Sequence, residues 1–303
     1  MKPLKNIKFL LTVFLLAIAA AAPVQLAYSS TLTVTVFTDK PSYIIAENIT
    51  VYGNLAYDGS PVPNWPVGLE IQDPTGTSVV TRTPQTDVSG TYSLAFKLPA
   101  DAQLGTYTVY VSSGYKGETA TNNATFEVIP IRDIAVTNVT SAKTVVGQRY
   151  PVNITVNAVN QGEPTETFNV TVYCNETAIT LPNGENYTTV ALASGESKTL
   201  TFTWNTTGFA FGNYTLSAFA WPVPGETNTA NNNFTNGTVK VTIPGDVKGD
   251  FIVDIFDAIV LSGAFNTYPG HPHWNPNADL NGDNVVDIFD AIVLANHYNQ
   301  HYP

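Results

Sequence analysis

From Thr31 to about Val128, apolar and polar residues alternate in short runs broken by turn residues. Thr31 to Phe37 sets Leu32, Val34 and Val36 on one face, and Tyr92, Leu94, Phe96 and Leu98 do the same further on, the period of two expected of half-buried strands. Turns at Lys40-Pro41-Ser42, Asp73-Pro74-Thr75-Gly76 and Asp87-Val88-Ser89-Gly90 are spaced as a small antiparallel sandwich requires. A second run of this kind opens after Ile129-Pro130 and closes near Ile243-Pro244. Within it Phe168, Val170, Val172 and Cys174 share a face, so the lone thiol is expected to be an inert core group. After Gly245 the pattern changes. Ala258 to Phe265 and Ala291 to Tyr298 read as short helices, each following an aspartate-rich segment. The predicted class is mainly β: two β-sandwiches, over 30–129 and 130–244, followed by a small α-helical module over 245–303.

The amino terminus has a different pattern. Lys2, Lys5 and Lys8 precede an apolar run from Phe9 to Ala22, and Ala27-Tyr28-Ser29 places small residues where a signal peptidase inspects the chain. Residues 1–29 therefore read as a secretory signal, with a retained anchor as the alternative. The run is short of the about 20 residues a comfortable membrane span needs, and the mature chain from Ser30 is expected to have no membrane span.

Composition adds a constraint on partners. The 303 residues carry 13 Lys plus Arg against 24 Asp plus Glu, a formal charge of −11. Without clustered basic residues, nucleic acid is not an expected partner. One Cys cannot form an internal disulfide. The acidity is concentrated: Gly245 to the end holds eight Asp, no Glu and one Lys.

The first sandwich contains Thr38-Asp-Lys-Pro-Ser-Tyr43, Thr86-Asp-Val-Ser-Gly-Thr-Tyr92 and Gly105-Thr-Tyr-Thr-Val109, phrases that resemble macroglobulin-type and related bacterial Ig-like domains. The resemblance implies a spacer or adhesive module; the thioester Cys of protease-trapping macroglobulins has no counterpart. The second carries Asp133-Ile-Ala-Val-Thr-Asn-Val-Thr140, Asn160-Gln161-Gly162, Trp204-Asn205 and a closing Pro222 to Phe234 stretch with Pro-Gly-Glu and a run of Asn. Together these resemble the CARDB family of prokaryotic surface proteins, which implies an extracellular Ig-like sandwich, adhesion, and no catalytic residues. Both sandwiches are thus expected to be Ig-like.

The most specific signal is a duplication. Asp246 to Asp257 and Asp279 to Asp290 are twelve residues each, offset by 33, and both run into the same nine letters, VDIFDAIVL. Asp recurs at positions 1, 5, 9 and 12: Asp246, Asp250, Asp254 and Asp257, then Asp279, Asp283, Asp287 and Asp290. This is the spacing with which an EF-hand-type loop turns around Ca²⁺, with the position-7 carbonyls of Ile252 and Val285 and the position-3 side chain of Asn281 as further oxygen ligands. Two calcium ions are expected. Lys248 at position 3 opposes the metal in loop 1, and Phe251 replaces the position-6 glycine, so loop 1 is expected to bind more weakly.

A loop followed by a helix, repeated and lacking the entering helix of an EF-hand, resembles the dockerin family. That resemblance implies two bound calcium ions and docking to a cohesin-domain protein through loop positions 10 and 11 and the adjoining helix, in two related orientations. Here those residues are Ile255, Phe256 and Ile259, and Ile288, Phe289 and Ile292, so recognition is expected to be apolar.

Other features carry less. Eleven Asn-x-Ser/Thr sequons include those at Asn138, Asn153, Asn169, Asn175, Asn186, Asn205 and Asn213. They read equally as glycan acceptors of an exported glycoprotein or as the product of an Asn- and Thr-rich β exterior. All four His fall in the last module without a zinc-like ligand spacing. No Gly-x-Ser-x-Gly, P-loop or His-Glu-x-x-His motif occurs, and no enzyme is expected. The expected protein is secreted and held at a cell surface through a cohesin-bearing partner. The alternative is a carbohydrate-binding or adhesive surface protein using Trp65, Trp204 or Trp221, of which Trp204 and Trp221 are expected in a core.

Overall fold

The structure is a computed structural model that describes residues 30–302; the secretory-signal reading of 1–29 lies outside the described residues. The chain divides into two compact units, ending and beginning at Val128 and Ile129. It is mainly β, with two Ig-like sandwiches and two short helices.

The first unit is a sandwich of two five-stranded sheets. The long strand Asn48–Tyr57 is central to one, pairing antiparallel with Leu32–Val34 and Thr91–Lys97. In the other, Gly105–Tyr115 lies between Glu118–Ile129 and Gly68–Gln72. The alternation reads through to the packing: Leu32, Val34, Val36, Tyr92 and Leu98 are buried in one core with Ile49, Val109 and Phe126, and Leu94 and Phe96 pack against it. Two of the expected turns share one device. The Asp73 carboxylate accepts from the amides of Thr75 and Thr77, and that of Asp87 from Ser89 and Thr91, each beside a glycine in the left-handed region. Gly53 is required for packing, since a Cβ there would lie 1.9 Å from the Thr35 carbonyl oxygen.

The second sandwich faces a three-stranded sheet, Ile134–Ser141, Pro151–Asn160 and Ser197–Asn205, against a six-stranded one. The latter runs from Val145–Gly147 through Asn233–Thr242 and Gly212–Ala220 to Glu166–Cys174 and its two edge partners. Cys174 is fully buried with Val170 and Val172, and burial pushes its thiol pKa up to about 12. The motifs quoted for this segment act as ties. Asn160 is buried and donates to the carbonyls of Pro164 and Leu192. Glu226 accepts from the amides of Ile134 and Val223, fastening the first strand to the loop before the last.

Two expectations are corrected. Trp204 is buried against Phe209 and Tyr214, but Trp221 is 41% exposed. Its indole Nε1 donates to the Thr171 hydroxyl while its ring lies beside Tyr187. It follows the strand Gly212–Ala220 directly, beyond the point where alternation governs direction.

The second correction concerns the helices. α1 spans Ile255–Gly263 and α2 Ile288–His297, so each begins three residues before the expected start. Asp254 and Asp287 cap them, accepting from Phe256 N and Phe289 N, and the N3 residues Asp257 and Asp290 reach back to the cap amides. This capping box makes Asp-Ile-Phe-Asp a helix start. The helices enclose a small core of Val247, Val253, Leu261, Leu280, Val286 and Leu294. The two halves are interlocked: Val253 exchanges backbone hydrogen bonds with the residues after α2, and Val286 with those after α1. Among the described residues no helix is long and apolar enough to cross a membrane.

Candidate metal centres and docking face

In loop 1 the position-1 carboxylate is the hub. Asp246 accepts from the amides of Gly249 (2.7 Å), Asp250 (3.2 Å) and Phe251 (2.8 Å). Position 12 closes the loop, with Asp257 accepting from Val247, Lys248 and Asp254. Loop 2 repeats the scheme: Asp279 accepts from Gly282, Asp283 and Asn284, and Asp290 from Leu280, Asn281 and Asp287. Both loops turn through the left-handed region at positions 4 and 6, Gly249 and Phe251 in one, Gly282 and Asn284 in the other. Phe251 thus adopts the conformation that favours glycine, at φ 65°.

Asp246, Asp257, Asp279 and Asp290 are all buried, and burial raises the pKa of Asp257 and of Asp290. Buried carboxylates paired only with neutral donors are costly unless a cation compensates them. In loop 1, ligand atoms of Asp246, Asp250 and Asp257 lie within 4.8 Å of one another, the one such acidic or histidine-containing group among the described residues. An all-oxygen set of this kind fits a hard divalent cation. The Lys248 ammonium already stands in as a cation, 2.8 Å from Asp250 Oδ2 and 3.3 Å from Asp254 Oδ1, and its hydrogen bond holds the Asp250 carboxyl below the usual range. Asp254 and Asp287 also serve as the caps of their helices, accepting from Phe256 N and Phe289 N. In loop 2 the Asn281 amide holds the Asp283 carboxylate at 2.8 Å. The carbonyls of Ile252 and Val285 sit at position 7 of loops with matching geometry.

The helices expose matching apolar triads. Ile255, Phe256 and Ile259 on α1, and Ile288, Phe289 and Ile292 on α2, are all exposed, Phe256 by 58% and Phe289 by 60%. Leu261 and Leu294 of the same repeat turn into the core instead. Helical period divides the identical VDIFDAIVL segments into an inner and an outer face, and the outer one is apolar.

Sequence reasoning missed how closely the second sandwich meets the loops. The buried Lys143 donates to the main-chain carbonyl of Asp279. Burial lowers its pKa, against the pull of Asp279, Asp290 and Asp283. The only hint in the sequence was its position in a turn of an otherwise β segment, which does not specify a target.

Comparison with known proteins agrees with this order. Three family models match: MG2 domain over residues 33–128, CARDB over 131–236 and Dockerin type I domain over 244–299. The three matches follow one another in the order of the segments, and the domains they describe are non-catalytic modules. Dockerin type I domains typically bind calcium, and they imply a cohesin-type protein partner. Dockerin and adhesion-type domains are typical of extracellular proteins. None of the curated proteins matches.

Among solved structures, the chain is similar to a tetra-tandem repeat from the extending region of a large adhesion protein, at 18% identity over 70% of this chain and 50% of that one, TM-score 0.30. It is also similar to native Escherichia coli alpha-2-macroglobulin, at 12% over 70% and 17%, TM-score 0.33. A third is the CARDB domain of a Pyrococcus furiosus protein in complex with di-metal ions, at 28% over 38% and 98%, TM-score 0.31. The chain spans half or less of the length of the first two.

Proposed function

We propose that this is an exported, non-catalytic surface or scaffold-associated protein. Its dockerin, folded around two calcium ions, docks onto a cohesin-bearing partner, and its sandwiches serve as spacer or adhesion modules over 30–129 and 130–244. The observation that carries the reading is the pair of exposed apolar triads, each on the helix directly after an acidic loop. The carboxylates of the loops, with Asn281 and the carbonyls of Ile252 and Val285, hold the ions; calcium supplies the charge that lets buried aspartates converge. Loop 1 is the weaker site because Lys248 competes there. Pull-down from the native host in calcium and in chelator tests the proposal: a cohesin-domain protein is retained in calcium and released by chelator. Retention of none in either condition refutes it. The sequons are glycan acceptors in this reading; Asn138, Asn153, Asn175, Asn186, Asn205 and Asn213 are exposed and Asn169 is half-buried.

A second reading, carbohydrate binding by the sandwiches, is favoured by the exposed Trp221 beside Tyr187, an aromatic surface suited to a sugar ring. A glycan array with the dockerin deleted separates the two.

A further inference from the structure

The second sandwich and the acidic loops meet along a seam. The final strand, Asn233–Thr242, runs straight into loop 1. Its last residue, Thr242, is fully buried, and its hydroxyl donates to Asp246 Oδ2. Asp246 thus receives a fourth hydrogen bond, from outside the loop, that has no counterpart at Asp279. In the same strand Lys240 donates to the Gly249 carbonyl at 2.7 Å, and its ammonium lies 5.1 Å from the centre of the Phe251 ring. That ring also meets Phe211 of the sandwich and Tyr302. The residue at position 6 that costs backbone strain is therefore part of the sandwich contact.

Loop 2 is held separately, from the turn before the strand Val145–Gly147. Lys143 donates to the Asp279 carbonyl. Asn277, two residues before the loop, accepts from Thr144 N (3.0 Å) and Val145 N (3.1 Å) with its Oδ1 and donates to the Thr144 hydroxyl (3.1 Å). Gly249 and Gly282, the position-4 residues, face Val145 and Pro151 of the sandwich.

We propose that the CARDB sandwich is part of the calcium sites, with Thr242 as a positioning residue for the first aspartate of loop 1 and Asn277 tying the start of loop 2 to the sandwich, so that calcium binding and closure of the seam are one coupled equilibrium. This rests on the calcium reading above. The physical reason is orientation. A carboxylate whose orientation is fixed by donors from the loop and, for Asp246, from the sandwich pays less ordering entropy when an ion binds, even though a donor must yield a lone pair to it, and outer-shell partners of this kind govern metal affinity. By linkage, an ion that binds only the closed seam must also lower the population of the open one.

Two measurements on the full chain test this. In calcium calorimetry, Thr242→Val weakens the loop 1 site by about tenfold, the low end for loss of an outer-shell donor, while Thr242→Ser, which keeps the hydroxyl, restores it. In hydrogen exchange, adding calcium slows the Thr144 and Val145 amides of the wild type; Asn277→Ala removes that response and Asn277→Asp, which keeps the acceptor, preserves it. Equal affinities for wild type and Thr242→Val, or amides 144 and 145 indifferent to calcium in a chain that binds it, overturn the coupling. A wild-type chain that takes up no calcium overturns the calcium reading and the coupling with it.

Discussion

Lys248→Asn tests the electrostatics of loop 1 most directly. The substitution gives position 3 the residue that loop 2 has there, Asn281, so it removes a positive charge and supplies an oxygen ligand at once. The Lys248 ammonium lies 2.8 Å from Asp250 Oδ2. A calcium ion sits a further 2.3–2.6 Å from its ligand oxygens, so the two charges would be about 5 Å apart. A single charge against a divalent ion at about 5 Å costs roughly 1.7 kcal/mol in water-like dielectric. Physiological salt cuts this to about 1 kcal/mol, and the flexible, exposed side chain can swing away. Loop 1 affinity should therefore rise about five- to twentyfold, the added Asn ligand acting in the same direction. The assay is calcium calorimetry in a background where Asp283→Ala silences loop 2, repeated at high salt, where the gain should shrink. An affinity unchanged within about twofold, or weakened, would mean that Lys248 supports the loop rather than opposing the metal, and the ranking of the two sites would fall with it.

Three further outcomes are expected. Phe256→Asp combined with Phe289→Asp should abolish capture of the cohesin-type partner while calcium binding persists, since burying two unpaired carboxylates in an apolar interface costs several kcal/mol; undiminished capture would show that the partner binds elsewhere. Cys174 should resist thiol reagents in the native state: its pKa is raised to about 12 by burial, so the neutral form persists well above the pH at which an ordinary thiol ionises. Rapid labelling at pH 8, faster than unfolding, would contradict the packing of that strand. Enzymatic or chemical deglycosylation of protein from the native host should lower its mass; an unchanged mass removes the glycan reading of the sequons.

Period-two alternation was enough to identify the buried faces around Leu32, Tyr92 and Val170, because a strand with one face in a core has no freedom over which side its residues take. The twelve-residue spacing likewise made the acidic loops readable, since the turn that the aspartates at positions 1 and 12 close is local. Reading failed where a residue's direction was set from outside its own element. Trp221 follows its strand and turns outward. The helix starts were misplaced for a local reason: Asp254 and Asp287 form capping boxes with Asp257 and Asp290, which begin each helix three residues earlier.

What the sequence by itself determined is the series of modules, the two sandwiches and the repeat with its inner and outer faces, because these follow from local period and from a spacing repeated in register, while their Ig-like character was what the family resemblances implied. Only the tertiary structure decided that Thr242, Lys143 and Asn277 meet the loops, and that Phe251 spends its strain on a contact with the sandwich. Lys143 lies 136 residues from the carbonyl it reaches, and no local pattern encodes a contact at that separation. It arises when the final strand, paired with its neighbours in the sheet, delivers the first acidic loop against the sandwich and the interlocked second loop follows.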